Sequence, residues 1–339
     1  MFKRLVLASA ATAMCVSTTV MAQTQAPASK PAVKAYAPPK TLWGDPDIQG
    51  NYTNKYEQGT PFERPAEFDG KTLADISKAE LADIIKKRQQ RAIDNAPFLS
   101  GDPTGTIAGP MEFRDIYEVS KASRPWFVTD PPDGKIPPML PDAQKRIAAL
   151  PRGGSSFSNG VYENYDSLGL YDRCITRGYP NSMLPAIYGD SYQIIQSPGF
   201  VAIRIEMIHE TRIIPLGGQA HASKGIALDM GDARGHWEGN TLVVETTNFR
   251  GRSIYRNGNP STFKLIERFT PTSKTSLEWS VTVDDPATWT RPWTFSLPLT
   301  VNDEEPLYEY ACHEGNYAMK NILSGSRLAD AEAAKAVKP

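Results

Sequence analysis

The feature that most constrains this chain is a succession of short strand-like runs between residues 191 and 314, each followed by a turn signal. They read SYQIIQS, FVAIRIEMIHETRIIPL, HWEGNTLVVETTNF, TFKLIERFT, TSLEWSVTVDD, PWTFSLPLTV and PLYEYACHE, punctuated by SPG, EGN, PTSKT, DDP and NDEE. Parallel pairing needs a long crossover, so these spacings specify antiparallel strands. A meander of seven or eight strands must close or stack to hide its edges. The expected fold is mainly β: an antiparallel meander closing into a barrel, with a two-sheet sandwich as the alternative. No internal repeat is visible, which argues against solenoids and propellers.

The flanks read differently. Residues 1–22 combine a basic start (Lys3, Arg4), an apolar stretch and small residues up to Ala22, the pattern of a secretory signal peptide. Cys15 is a weak candidate for a lipid anchor, because Met14 stands where a small residue is expected. Residues 23–41 are rich in Pro and Ala and read as a disordered linker. Residues 42–156 read as a helical and loop-rich region that wraps the barrel, residues 157–325 as the barrel, and residues 326–339 as a tail. Within the wrap, SKAELADIIKKRQQRAI (77–93) carries a capping-box signal, Ser77 with Glu80, and a broken apolar stripe. PDAQKRIAAL (141–150) reads as a second short helix. The apolar run of this leader is too short and too rich in Ala, Ser and Thr for a membrane span, and no second one follows, so the expected location is the periplasm or outside the cell. With a formal net charge of −1, nothing in the chain calls for nucleic acid as a partner.

Removal of the leader leaves two cysteines, Cys174 and Cys312, expected to pair in an oxidising compartment. A loop that long stabilises by about 4–5 kcal/mol in the chain-entropy picture.

The alternation of the strands places ionisable groups among apolar ones. In VAIRIEMIHETRIIP (201–215), read as one strand, His209 follows Val201, Ile203, Ile205 and Met207 on one face, with Glu206 and Arg212 on the other. Glu267 shares a face with Phe263, Leu265 and Phe269; Trp279 shares one with Leu277, Val281 and Val283; Glu245 falls with Val243 and Phe249. Buried charge costs several kcal/mol unless paired. Several such residues in one barrel therefore suggest a polar-lined cavity, whereas each taken alone suits a satisfied core residue, with Arg204 or Arg212 as the partner of a glutamate. In LYEYACHEGNY (307–317), Glu309, Tyr310, His313 and Glu314 crowd Cys312; the alternative there is an anchor at Cys312 and a turn held by His313. Arg234 lies in GDARGHWEGN, and DDPATWTRPW holds Trp289 and Trp293, which either line a pocket mouth or pack a loop against the barrel. The four histidines (209, 221, 236 and 313) make no metal-binding spacing, and no phosphate-binding glycine loop or GxSxG elbow occurs.

Taken in order, EMIHETRIIP, GHWEGNTLVVETTNF, TVDDPATWTRPW and EYACHEGNY resemble a family of secreted bacterial proteins over residues 42–327. That resemblance implies secretion and one compact unit, and carries no activity or cofactor. At the level of fold the meander resembles lipocalin-like barrels.

The expected function is a cofactor-independent enzyme, a lyase, hydratase or isomerase acting by proton transfer on a small apolar molecule in the barrel. His209 and Glu267 would be one acid/base pair and His313 with Glu309 another, while Glu245, Arg234, Trp279 and Tyr310 would bind substrate. No metal is expected. The rivals are a carrier for a hydrophobic small molecule, an envelope interaction protein without a cavity, and a hydrolase using Glu245 with Glu267.

Overall fold

A computed structural model describes residues 36–95, 123–150, 162–186, 189–305 and 307–336. The expected signal peptide and most of the expected linker fall outside these residues. Ten strands form a single sheet: β1 (Gly50–Thr53), β2 (Val128–Asp130), β3 (Ser191–Ser197), β4 (Phe200–Ile205), β5 (Thr211–Pro215), β6 (Asp232–Glu238), β7 (Thr241–Thr247), β8 (Lys264–Ser273), β9 (Ser276–Asp284) and β10 (Trp293–Val301). Their spatial order is β5-β4-β3-β1-β10-β9-β8-β7-β6, with β2 added on β10. Every ladder in that path is antiparallel.

The sheet curls into a nearly closed barrel. Its two end strands meet at one parallel bridge, Leu216 to Gly235. Glycine is required there by space: a Cβ on Gly235 would lie 2.7 Å from Leu216 Cδ2 and 2.8 Å from Ile214 Cγ2.

Period-two alternation fills the interior. Leu265, Glu267 and Phe269 of β8, Leu277, Trp279, Val281 and Val283 of β9, and Trp293, Phe295, Leu297 and Leu299 of β10 are all buried. The Trp279 ring stacks on Phe269 and meets Phe295 edge-on at 5.8 Å. A segment before β3 inserts Tyr179 and Met183, both fully buried, into this core. Trp289 and Trp293 pack against one another at 5.7 Å, inside the core rather than at an open mouth.

Several boundaries differ from the sequence reading. FVAIRIEMIHETRIIPL is a hairpin, β4 and β5, paired antiparallel from Phe200–Pro215 to Arg204–Thr211. The turn is made by Ile208 (φ 58°) and His209 (φ 47°), both left-handed. PLYEYACHE contains no strand among its described residues. The wrap contributes β1 and β2 to the sheet. Residues 36–41 of the expected linker are described, and Lys40 there bridges Pro46.

Among the described residues the α-helices are α1 (Lys78–Asn95), α2 (Pro141–Ala148) and α3 (Ala318–Ala336); α3 occupies most of the expected tail. At α1, Ser77 Oγ accepts from the Glu80 amide at 3.2 Å, half of a capping box; the Glu80 carboxylate binds Lys71 instead. Ile84 of α1 packs with Phe68 and Trp126 in a small satellite core.

Candidate functional site

Three places collect the chemistry-bearing residues. The first is the barrel centre. Glu267 is inaccessible to solvent and faces Arg212, itself 4% exposed. Arg212 Nη2 donates to Glu267 Oε2 at 2.7 Å and Nη1 to Oε1 at 3.2 Å. Trp279 Nε1 donates to Oε1 at 3.1 Å, and the Tyr179 hydroxyl donates to the same oxygen. Thr246 accepts from Arg212 at 3.1 Å, and the Arg212 guanidinium lies 3.6 Å from the centre of the Tyr179 ring. Burial pushes the Tyr179 phenol far up. Burial also acts to lower Arg212, but Glu267 and Tyr179 outweigh it and hold the guanidinium charged. This is a buried ion pair filling the core, with Arg212 Nε left without a hydrogen bond. Arg212 reaches it because the turn at 207–209 resets the alternation of β5: Arg212 and Ile214 point inward and Ile213 outward.

The expected pairing of His209 with Glu267 is therefore corrected. His209 sits in the exposed turn, and its Nδ1 lies 3.0 Å from the Tyr310 carbonyl. Trp279 is fully buried as a ligand of Glu267 and as core. Glu245 faces outward: its β8 partner is Ile266, whereas the inward Glu267 pairs with Val244. Glu245 and Glu267 thus lie on opposite faces of the sheet.

The second place is the Cys174–Cys312 region. The two sulfurs lie at disulfide distance, 2.06 Å, with Cα atoms 5.8 Å apart. Beside them is a hollow of about 470 Å³, lined by residues that include Glu309, Tyr310, Tyr171 and Asp172. His209 reaches this region through the Tyr310 carbonyl. His313 lies in an exposed turn, where its carbonyl accepts from the Asn316 amide at 3.2 Å.

The third place was not marked by spacing. The loop between β5 and β6 lays His221 on the outer face of the sheet. His221 Nδ1 is 3.0 Å from Asp232 Oδ2, at the start of β6, and Nε2 is 3.2 Å from Glu245 Oε1, on β7. Asp232 also accepts from the Ala222 amide at 2.8 Å and from Arg234. Burial acts to raise Asp232, but the Ala222 amide, His221 and Arg234 outweigh it and hold the carboxyl below its usual range. Arg234 is further fixed to the Ala220 carbonyl at 3.1 Å. Lys264 Nζ stands 3.5 Å from both Glu245 and Asp284. Side-chain exposure rises outward, from 9% at Asp232 to 24% at His221 and 43% at Glu245.

Such a ring has a defined chemistry. A neutral imidazole that donates Nδ1–H to Asp232 presents Nε2 as a base; the protonated ring donates from both nitrogens. Among the four histidines, His221 alone has both ring nitrogens facing carboxylates among the described residues. No group of three or more potential ligands fit for a metal ion occurs among the described residues. No helix of the described residues is long and apolar enough to cross a membrane. Comparison with protein-family models, curated proteins and solved structures gave no match.

Proposed function

We propose that this protein is a secreted enzyme that acts by proton transfer without an organic cofactor, with His221 as its acid/base group. The observation that carries this reading is the outward gradient at His221: a buried, multiply bonded Asp232 behind the ring and a solvent-reachable Glu245 in front of it. That is how an imidazole is oriented for general acid–base work. The barrel centre offers no comparable role, because every polar atom of Glu267 is already engaged within the core.

In this mechanism Nε2 removes a proton from an acidified C–H or O–H of a bound molecule. The freed electron pair expels a β-leaving group or shifts along the substrate, and the same proton returns from Nε2 to the leaving group or to a second carbon. Lyase, hydratase and isomerase outcomes all share this sequence. Asp232 holds the ring in the Nδ1–H tautomer and balances the charge it gains. Arg234 keeps Asp232 in place. Glu245 and Lys264 stand where a polar group of the substrate would sit, and the exposed Ile226 and Leu228 on the covering loop suit a small apolar molecule.

The experiment incubates the chain from Gln23 onward with an apolar extract of a host culture, read by mass spectrometry. Wild type and His209→Ala consume a common compound, His221→Gln spares it, and Asp232→Asn slows its loss by about 100-fold or more. Consumption by His221→Gln at the wild-type rate overturns the assignment. A compound retained but chemically unchanged by every variant favours the carrier instead.

A further inference from the structure

Beyond β10 the chain carries a C-terminal arm, residues 307–335, and none of them is buried. Leu299 is the last buried side chain among the described residues. Along α3 the half-buried side chains are Met319, Ile322, Leu323 and Ser326, the spacing of one helix face, while Leu328 is 62% exposed. An element docked by a shallow face, with no buried apolar anchor, opens locally at low cost. Hydrogen bonds reach the arm as well: the Tyr310 carbonyl lies 3.0 Å from His209 Nδ1, Asn316 Nδ2 donates to the Asp172 carbonyl at 3.5 Å, and Arg327 donates to the Glu163 carbonyl. The covalent hold is the Cys174–Cys312 bond, between residues 138 apart in sequence.

That bond is placed to be cut from one side. Cys312, on the arm, is half-buried, whereas Cys174 is 7% exposed, so an incoming thiol meets the Cys312 sulfur first. Asn316 Nδ2 stands 3.2 Å from Cys174 Sγ, where its second N–H favours a thiolate on that sulfur. Cys174 also has φ 54°, in the left-handed region that residues with a side chain seldom occupy. A disulfide reachable at one sulfur and strained at the other belongs to the labile class. The main core, by contrast, is built from buried residues between Ile48 and Leu299; Tyr310 of the arm touches it and is only half-buried. No ladder of the barrel involves the arm.

We infer that Cys174–Cys312 is a redox-sensitive latch, which a dithiol opens in the folded protein to free the C-terminal arm while the barrel stays closed. One thiolate of the dithiol attacks Cys312 Sγ. The Sγ–Sγ bond breaks, and its electron pair leaves on Cys174 Sγ beside Asn316. The second thiolate then attacks the dithiol's own sulfur in the mixed disulfide and releases Cys312. The dithiol is oxidised to a disulfide, the protein is reduced to a pair of thiols, and the dithiol's protons end on the cysteines.

The test treats the full chain, with the oxidised pair verified by mass, with dithiothreitol at neutral pH without denaturant. Both cysteines become open to alkylation. Amides of α3 then exchange about 10-fold faster or more, while those of β8 and β9 keep their protection. Reoxidation restores the slow exchange of α3. Cys312→Ser shows the fast exchange without any reductant, which separates opening of the latch from other actions of dithiothreitol. Glutathione, a monothiol, is trapped on Cys312 rather than Cys174. Asn316→Asp keeps the acceptor for the Ala318 amide but puts a negative charge beside the leaving sulfur, and slows reduction about 5-fold or more. Cysteines that stay oxidised until the barrel unfolds, an arm that stays protected after reduction, loss of β9 protection together with that of α3, or an unchanged rate in Asn316→Asp each overturns the inference.

Discussion

Removing either Glu267 or Arg212 strands the other charge inside the barrel. Both are almost fully excluded from solvent, and each supplies the other's main counter-charge. Breaking such a buried pair from one side costs about 3–5 kcal/mol, whereas replacing both members by apolar groups of similar volume is close to neutral. Glu267→Ala and Arg212→Ala should each lower the urea midpoint sharply, and Glu267→Leu with Arg212→Met together should lose much less than the sum. Additive losses in that double variant would show that the pair is not a unit. The inward aspect of Glu267 is plain in TFKLIERFT, where it alternates with Leu265 and Phe269. His221 is not legible in the same way. It belongs to no alternating run, and its two carboxylate neighbours lie 11 and 24 residues away, so only the folded loop brings them together.

At the scale of elements, the hairpin of β4 and β5 shows where sequence patterning stops short. The turn contains no Gly, Pro or Asn; Ile208, a β-branched residue, adopts a left-handed conformation that such residues seldom take. Its compensation is packing, since Met207 and Ile208 are both 2% exposed. Uninterrupted alternation through this stretch sends His209 inward and Arg212 outward; two left-handed residues reverse both. By contrast β8 and β9 keep strict alternation, and their inward residues are those the sequence marks. The segment that plugs the core ends on Asp190, whose carboxylate accepts from the Ala186 amide at 2.9 Å and from Gln58 Nε2 at 2.8 Å. Burial pushes this carboxyl up to about 7. The folded chain therefore holds a proton that the unfolded chain releases near pH 4. The resulting stabilisation is complete below about pH 4 and is lost as pH rises through 7. Relative to Asp190→Asn, wild type should lose stability across that window, with a slope of at most about 1.4 kcal/mol per pH unit. Denaturation curves of the two proteins that stay parallel from pH 4 to 8 would contradict this.

For the molecule as a whole, the end strands of the sheet close on the bridge between Leu216 and Gly235. Gly235→Ala places a methyl group within 2.7–2.8 Å of Leu216 and Ile214, closer than carbon atoms approach without displacement. Overpacking of this kind costs about 1–3 kcal/mol, and it should loosen the β5–β6 seam first, read as faster hydrogen exchange at amides of the end strand β6 than at amides of β9. Equal exchange throughout would show that the seam does not limit closure. The antiparallel meander and its curling were legible because short spacings and turn signals dictate them. The insertion of β1 was not, since GNYT is too short to show a period. That insertion has a consequence for the order of assembly. β1 sits between β3 and β10, and its residues Tyr52 and Thr53 pair with Val301 and Thr300. Emerging from the ribosome N-terminus first, the chain exposes β1 early and its second partner almost last. Contacts so far apart in sequence form late and slowly. The wall cannot be sealed until Val301 is free, so a nascent copy stays open and threadable up to that point.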